Sequence, residues 1–193
     1  MSSYAKADTL MGAVLAPLDQ ARSMGLAIVF SLFIAACAQF TIHIGPIPIT
    51  GQSFAVLLTG ALLGSRLGTA AVIAYLIEGA IGLPFFAPGG APGILRFLGP
   101  TGGYLVAFPA AAFITGAFAE HGWDKRYTTA VAAMAIGSAI ILLGGWAWFA
   151  IVTNTNPAVA FYPAVGRFLA GDVIKVALAA AVLPTGWALL KKK

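Results

Sequence analysis

Residues 23 to 65 contain no Asp, Glu, Lys or Arg, and His43 is the one basic ring in that stretch. A charge-free run of that length is not what a water-facing surface is made of. It is also too long for one membrane crossing, which takes about 20 apolar residues. "GPIPITG" at 45–51 interrupts it with two prolines and two glycines, residues that end helices. The run therefore reads as two spans, 22–43 and 52–64, joined by a turn. The rest of the chain agrees: of 193 residues, 60% are hydrophobic and 9% charged, against about 25% charged in a soluble domain. The length leaves room for one membrane domain over 22–190, an N-terminal tail or interfacial segment at 1–21, and a basic tail at 191–193.

The same punctuation divides the remainder. A third span over 68–83 stops at Pro84, and "PFFAPGGAPGILRFLGPTGG" (84–103) is a long structured loop or re-entrant segment. A fourth span covers 101–119, the charge-dense loop "EHGWDKR" follows at 120–126, a fifth covers 127–152, and a sixth 164–190. Arg22, Arg66, Lys125, Arg126 and Lys191–Lys193 then all fall on one side of a six-span layout. The positive-inside rule makes that side cytoplasmic, with both termini on it. The three loops on the other side, 45–51, 84–100 and 153–163, hold a single charge, Arg96. The expectation is an all-α integral membrane protein, a bundle of six transmembrane helices with its apolar surface in lipid. The net charge of +5 serves topology and does not indicate nucleic-acid binding.

Topology leaves five charges unexplained: Glu78, Arg96, Arg167, Asp172 and Lys175. All five fall in the outer half of the layout. Intramembrane ionisable groups cost about 2.5–3.5 kcal/mol each on insertion scales, so they face a cavity or one another. Asp172 and Lys175, three residues apart in "GDVIK", share a helix face. They are a self-neutralising structural pair or a pair that also meets a ligand; the second reading is favoured, because a buried ion pair adds little stability that an apolar pair would not. Arg167 points about 140° away from Asp172 and belongs at the interface. Glu78 is either a pocket wall or a partner of Arg96 or Arg167. The glycine- and proline-rich loops fit a pocket lid, since irregular backbone at membrane depth must line a cavity or be buried in protein. Phe85, Phe86, Phe97 and Tyr104 are candidates to clasp an apolar ligand, Phe161 and Tyr162 read as belt residues, and of Trp146 and Trp148 helical phase does not say which faces the cavity.

Other chemistries are missing from the chain. No GxxxxGK[ST] motif is present, so it does not hydrolyse ATP through a P-loop. Two histidines and one cysteine, Cys37, do not make a zinc or di-iron centre or a disulfide framework. No GxSxG occurs. An enzyme is disfavoured, and no cofactor or metal is expected. Ala27, Ser31 and Ala35 repeat small residues every fourth position, a stripe that admits close helix approach, either within the bundle or against a partner.

Four segments in order, "GPIPITGQSFAVLLTGALLGSRLG" (45–68), "GAIGLPFFAPGG" (79–90), "LGPTGGYLVAF" (98–108) and "GDVIK" (171–175), closely resemble the BioY family, the biotin-binding S components of energy-coupling factor transporters. The resemblance spans nearly the whole chain from the first helix to the sixth. It implies a six-helix S-component fold in a bacterial cytoplasmic membrane, with biotin captured from outside. It also implies a transmembrane coupling protein and cytoplasmic ATPases as partners, which accounts for the missing P-loop. Ser31 and Ala35 match the positions at which the family docks on its coupling protein. Biotin offers two ureido N–H donors, which need acceptors when buried, and a carboxylate, which needs a cation. The implied ligand-binding set is Asp172, with Glu78 instead of or beside it, for the donors; Lys175 and Arg96 for the carboxylate; and Gln52 and Tyr104 for further hydrogen bonds or ring contacts. A close relative of biotin such as desthiobiotin fits the same set. The competing reading is an autonomous secondary transporter of biotin or a similar small carboxylate, with Asp172 and Lys175 as a translocation relay; an intramembrane scaffold would not need the convergent charges.

Overall fold

The structure is a computed structural model that describes residues 9–15, 19–43 and 47–190. Gly45 and Pro46 of the first loop, residues 1–8 of the expected tail and Lys191–Lys193 lie outside the described residues. Nine α-helices are present among those described: α1 (Leu10–Leu15), α2 (Gln20–Gln39), α3 (Gln52–Leu63), α4 (Ser65–Ala80), α5 (Leu95–Leu98), α6 (Gly102–Glu120), α7 (Tyr127–Val152), α8 (Pro157–Phe161) and α9 (Leu169–Leu190). Four of them, α2, α6, α7 and α9, are long and apolar enough to cross a membrane, and α3 is apolar but shorter. Their outer faces are those of a lipid-soluble body. Ile28, Val29 and Leu32 on α2 and Val173, Ile174 and Leu178 on α9 are all exposed, a pattern that water would not tolerate.

Packing is centred on α3 and α6. α6 lies against α7, α3 and α4, α2 covers α3 and α4, and α9 closes the bundle against α7 and α3. Ten of the residues of α3 are buried, as expected for a helix that is apolar on every side. Its close approach to α6 is possible because residue 60 is glycine: a Cβ there would stand 2.9 Å from the Ala112 Cα. The chain then reverses into α4 through Gly64 alone, at φ +86° and ψ 176°, an essentially glycine-only conformation that costs a residue with a side chain about 1–3 kcal/mol. The Glu120 carboxylate accepts from the Ser65 backbone N–H at 2.9 Å and from its hydroxyl at 2.9 Å. This caps the N-terminus of α4 with a negative charge, where the helix dipole favours one, and ties α4 to the end of α6.

Two expectations shift. The first helix ends at Gln39, not 43: Thr41–Ile42 (β1) pairs antiparallel with Ile49–Thr50 (β2), in register Thr41↔Thr50 and Ile42↔Ile49. β-branched residues suit a strand, and the Thr41 hydroxyl donates to the Ala38 carbonyl at 2.6 Å, closing off the helix end. The last helix begins at Leu169, not 164. Ahead of it Pro157–Phe161 forms α8, and residues Tyr162–Gly166 make one π-helical turn containing Pro163, whose missing N–H interrupts the α-helical ladder.

Of the small-residue stripe, Ser31 is fully buried and Ala35 is 6% exposed. Both side chains are used in packing within this chain, and the Ser31 hydroxyl donates to the Ile28 carbonyl at 2.8 Å on its own helix.

Candidate ligand-binding site

The β1–β2 hairpin, the loop after α4 and the N-terminal ends of three helices meet at one end of the bundle. Between them lies a small cavity of about 70 Å³ that opens at its mouth to the surroundings. Gln52 and Ser53 enter it from the first turn of α3, Tyr104 and Leu105 from the first turn of α6, and Asp172 from the first turn of α9. Phe168 and Lys175 lie on the same α9 face as Asp172; Ile47, Phe86 and Arg96 come from the hairpin and the loop. Three helix N-termini at one cavity bias it toward negative charge.

Of the six residues expected to bind a ligand, five line this cavity: Asp172, Lys175, Arg96, Gln52 and Tyr104. Glu78 is not among the lining residues; its Oε2 is buried without a hydrogen-bond partner. No ion pair joins it to Arg96 or Arg167 among the described residues. The neighbouring turn of α4 supplies Tyr75 instead, whose hydroxyl receives a hydrogen bond from the Gln52 amide and reaches the Phe85 carbonyl at 3.4 Å. Neither Trp146 nor Trp148 lines the cavity: their indole N–H groups donate to the Pro157 carbonyl at 2.9 Å and the Gly99 carbonyl at 3.0 Å. Among the aromatic candidates Phe86 faces the cavity and is held edge-on between Tyr75 and Phe97, each at a centroid distance of 5.7 Å.

The charges are not paired with each other. No ion pair links Asp172 and Lys175 within 4.0 Å among the described residues. The Lys175 ammonium donates to the Ser53 hydroxyl at 3.1 Å, and Asp172 accepts from the Ser138 hydroxyl of α7. The fold thus gives each of the two its own hydroxyl partner and no direct ion pair among the described residues. Arg96 is 8% exposed and has no acidic partner and no side-chain hydrogen bond among the described residues. Burial pushes its guanidinium below the ordinary arginine range, with the nearby Tyr75 acting in the opposite sense. Arg96, Lys175 and Asp172 give the cavity lining a formal surplus of one positive charge. The Tyr104 hydroxyl is already used, donating to the Ala164 carbonyl at 2.6 Å, which pins the π-helical turn.

Sequence reasoning missed Ser53, Phe168, Tyr75 and Ser138. Ser53 is next to Gln52 in a singled-out segment, and Phe168 is one helical turn before Asp172, so spacing carried a signal for both. Tyr75 and Ser138 carry none: each acts through a contact between elements far apart in sequence.

A sequence profile of the BioY family matches residues 7–192. A probable biotin transporter BioY of Pyrococcus horikoshii is 40% identical over 161 residues, 83% of this chain and 93% of that protein. A biotin transporter BioY of Rhizobium etli is 38% identical over 142 residues, 70% of this chain and 75% of that protein. Among solved structures, a crystal structure of the S-component for biotin from an ECF-type ABC transporter superposes with a TM-score of 0.79 at 26% identity, covering 93% of this chain and 95% of that one. These relatives are named as transporters or a transporter component, not as enzymes.

Proposed function

Because this chain belongs to the BioY family, we propose that it is the biotin-capturing membrane subunit of an energy-coupling factor transporter. In this reading α2, α3, α4, α6, α7 and α9 are six spans of a cytoplasmic membrane, both termini are cytoplasmic, and the cavity opens to the outside. A transmembrane coupling protein and a pair of ATPases supply the energy step. The observation that carries the reading is the charge arrangement in the cavity: a buried guanidinium with no acidic partner among the described residues, a second cation and one carboxylate, with no ion pair among the three.

Biotin complements that arrangement. Its carboxylate neutralises Arg96 and Lys175, and charge-assisted hydrogen bonds of that type are the strong ones. Its ureido N–H groups find an acceptor in Asp172. Its thiolane ring and aliphatic chain lie among Phe86, Leu105, Phe108, Ile141 and Phe168. Gln52, oriented by Tyr75 and by the Thr50 hydroxyl that donates to its Oε1 at 3.0 Å, adds a polar contact to the ring. Glu78 takes no part.

Isothermal titration of the purified, ligand-stripped protein with biotin tests this, beside the double variant Asp172→Asn, Lys175→Ala. Saturable binding by the first and its loss in the second is the expected result. No saturable signal from the folded native protein would sink the reading at the level of substrate. The secondary-transporter alternative is separated by uptake into vesicles that hold this chain alone: concentrative biotin uptake without coupling protein and ATPases would favour it.

A further inference from the structure

Ser138 is in the middle of α7, a helix without one charged residue from Tyr127 to Val152, and is 3% exposed. A buried hydroxyl needs a partner. In an apolar helix the usual partner is a carbonyl one turn back, as for Thr115, which donates to the Ala111 carbonyl at 2.7 Å on α6. Ser138 does otherwise: it reaches across to α9 and donates to Oδ2 of Asp172. Ser138 does not line the cavity, whereas Asp172 does. A carboxylate presents about four lone-pair sites on its two oxygens. Ser138 occupies Oδ2, and no described residue donates to Oδ1.

We infer that Ser138 is the positioning residue of this site: by holding Oδ2 it fixes the side-chain rotamer of Asp172 and keeps Oδ1 available as the acceptor for a ring N–H of the ligand. Nothing else among the described residues holds the Asp172 side chain. In the apolar interior of the bundle an untethered carboxylate would turn to whatever donor it found, Lys175 included, and would no longer be set for a ureido group. The inference rests on biotin as the ligand and deepens that reading, because it names how the acceptor is aimed.

The test is a ligand-by-variant cycle on the ligand-stripped full chain. Native protein, Ser138→Ala and Ser138→Thr are titrated with biotin and with the two cyclic-carbamate analogues in which one or the other ring N–H is replaced by oxygen. Ser138→Ala is expected to weaken biotin about tenfold, the size of losing one hydrogen bond to a charged group. For at least one carbamate, the loss of affinity relative to biotin shrinks by about threefold or more in Ser138→Ala, because a mis-aimed acceptor has less to lose. An Ser138→Ala protein that weakens biotin but keeps the full carbamate penalty has lost packing only, and overturns the inference; so does one that binds biotin as the native protein does. If Ser138→Ala does not fold, Ser138→Thr decides: keeping the donor should keep the carbamate penalty, and a lost penalty overturns the inference. Failure of the native protein to bind biotin would remove the functional reading and this inference together, whereas native binding with either contrary result removes this inference alone.

Discussion

Arg96→Met is the perturbation that separates this site from an ordinary polar interior. The guanidinium is 8% exposed with no acidic partner among the described residues, so it sits in the ligand-free protein at a cost, and methionine keeps its apolar stem. A buried uncompensated charge is destabilising, so the ligand-free variant should melt at the native temperature or a few degrees above it. Biotin binding should move the other way. A carboxylate in contact with a cation at an effective dielectric of about 20 gains about 4 kcal/mol before desolvation, and a hydrogen bond to a charged group contributes about 1.5–3 kcal/mol net. A loss of about 2–3 kcal/mol is the reasonable middle, or about 30- to 150-fold in Kd. The assay is titration of native and variant protein with biotin and with biotinamide, which lacks the negative charge, together with thermal unfolding in the same detergent. Biotinamide should bind the two proteins within about threefold of each other. Equal losses for biotin and biotinamide would show that Arg96 does not read the carboxylate. A large drop in the melting temperature of the ligand-free variant would show that the guanidinium is structural, and either result refutes the reasoning.

Three predictions concern the scaffold and leave the cavity alone. Glu120→Ala strips the cap from α4 and leaves the Ser65 N–H without its acceptor; a stability loss of about 1–2 kcal/mol, read by thermal unfolding, should come with unchanged biotin affinity. Gly64→Ala forces a side chain onto a residue at φ +86° and places its Cβ 2.7 Å from Glu120 Oε1, so a loss of about 2 kcal/mol is expected by the same readout, and native-like melting would refute the turn geometry. Asp124, in the short 3-10 turn between α6 and α7, is 2% exposed and bonds to the Trp187 indole at 2.6 Å. Burial pushes its carboxyl above the ordinary range, while Trp187, Lys125 and its own backbone pull it down. The folded chain therefore holds that proton more tightly than the unfolded one, whose value is about 3.9. This contribution to stability is greatest below about pH 4 and is lost as pH rises through the folded-state value. Asp124→Asn should flatten the fall in melting temperature above about pH 4, and an unchanged pH profile would remove Asp124 as its source.

The charge-free run from 23 to 65, the proline and glycine breaks and the one-sided basic residues determined by themselves that this chain is a membrane bundle, and they located its long helices to within a few residues. Lipid imposes that legibility: every span must satisfy its own backbone, so hydrophobic length and breakers translate directly into helices. Five of the six ligand-site candidates line the cavity: Asp172, Lys175 and Arg96 stood out as charges in apolar surroundings with no local reason, a criterion Glu78 met as well, whereas Gln52 came only from the family resemblance and Tyr104 from that resemblance and its aromatic ring. Other features depended on which helix faces which, and no local pattern encodes that. Spacing alone allowed Asp172 and Lys175 to neutralise each other; the fold gives them separate hydroxyl partners, Ser138 on α7 and Ser53 on α3. Tyr75 holds Gln52 while Glu78, one turn on, stays out of the cavity. Small residues at 31 and 35 had two possible neighbours, and it is the packing of this chain, not the spacing, that leaves both buried here. A helix sequence lists the groups it carries; only the packing of one helix on another selects which of those groups meet.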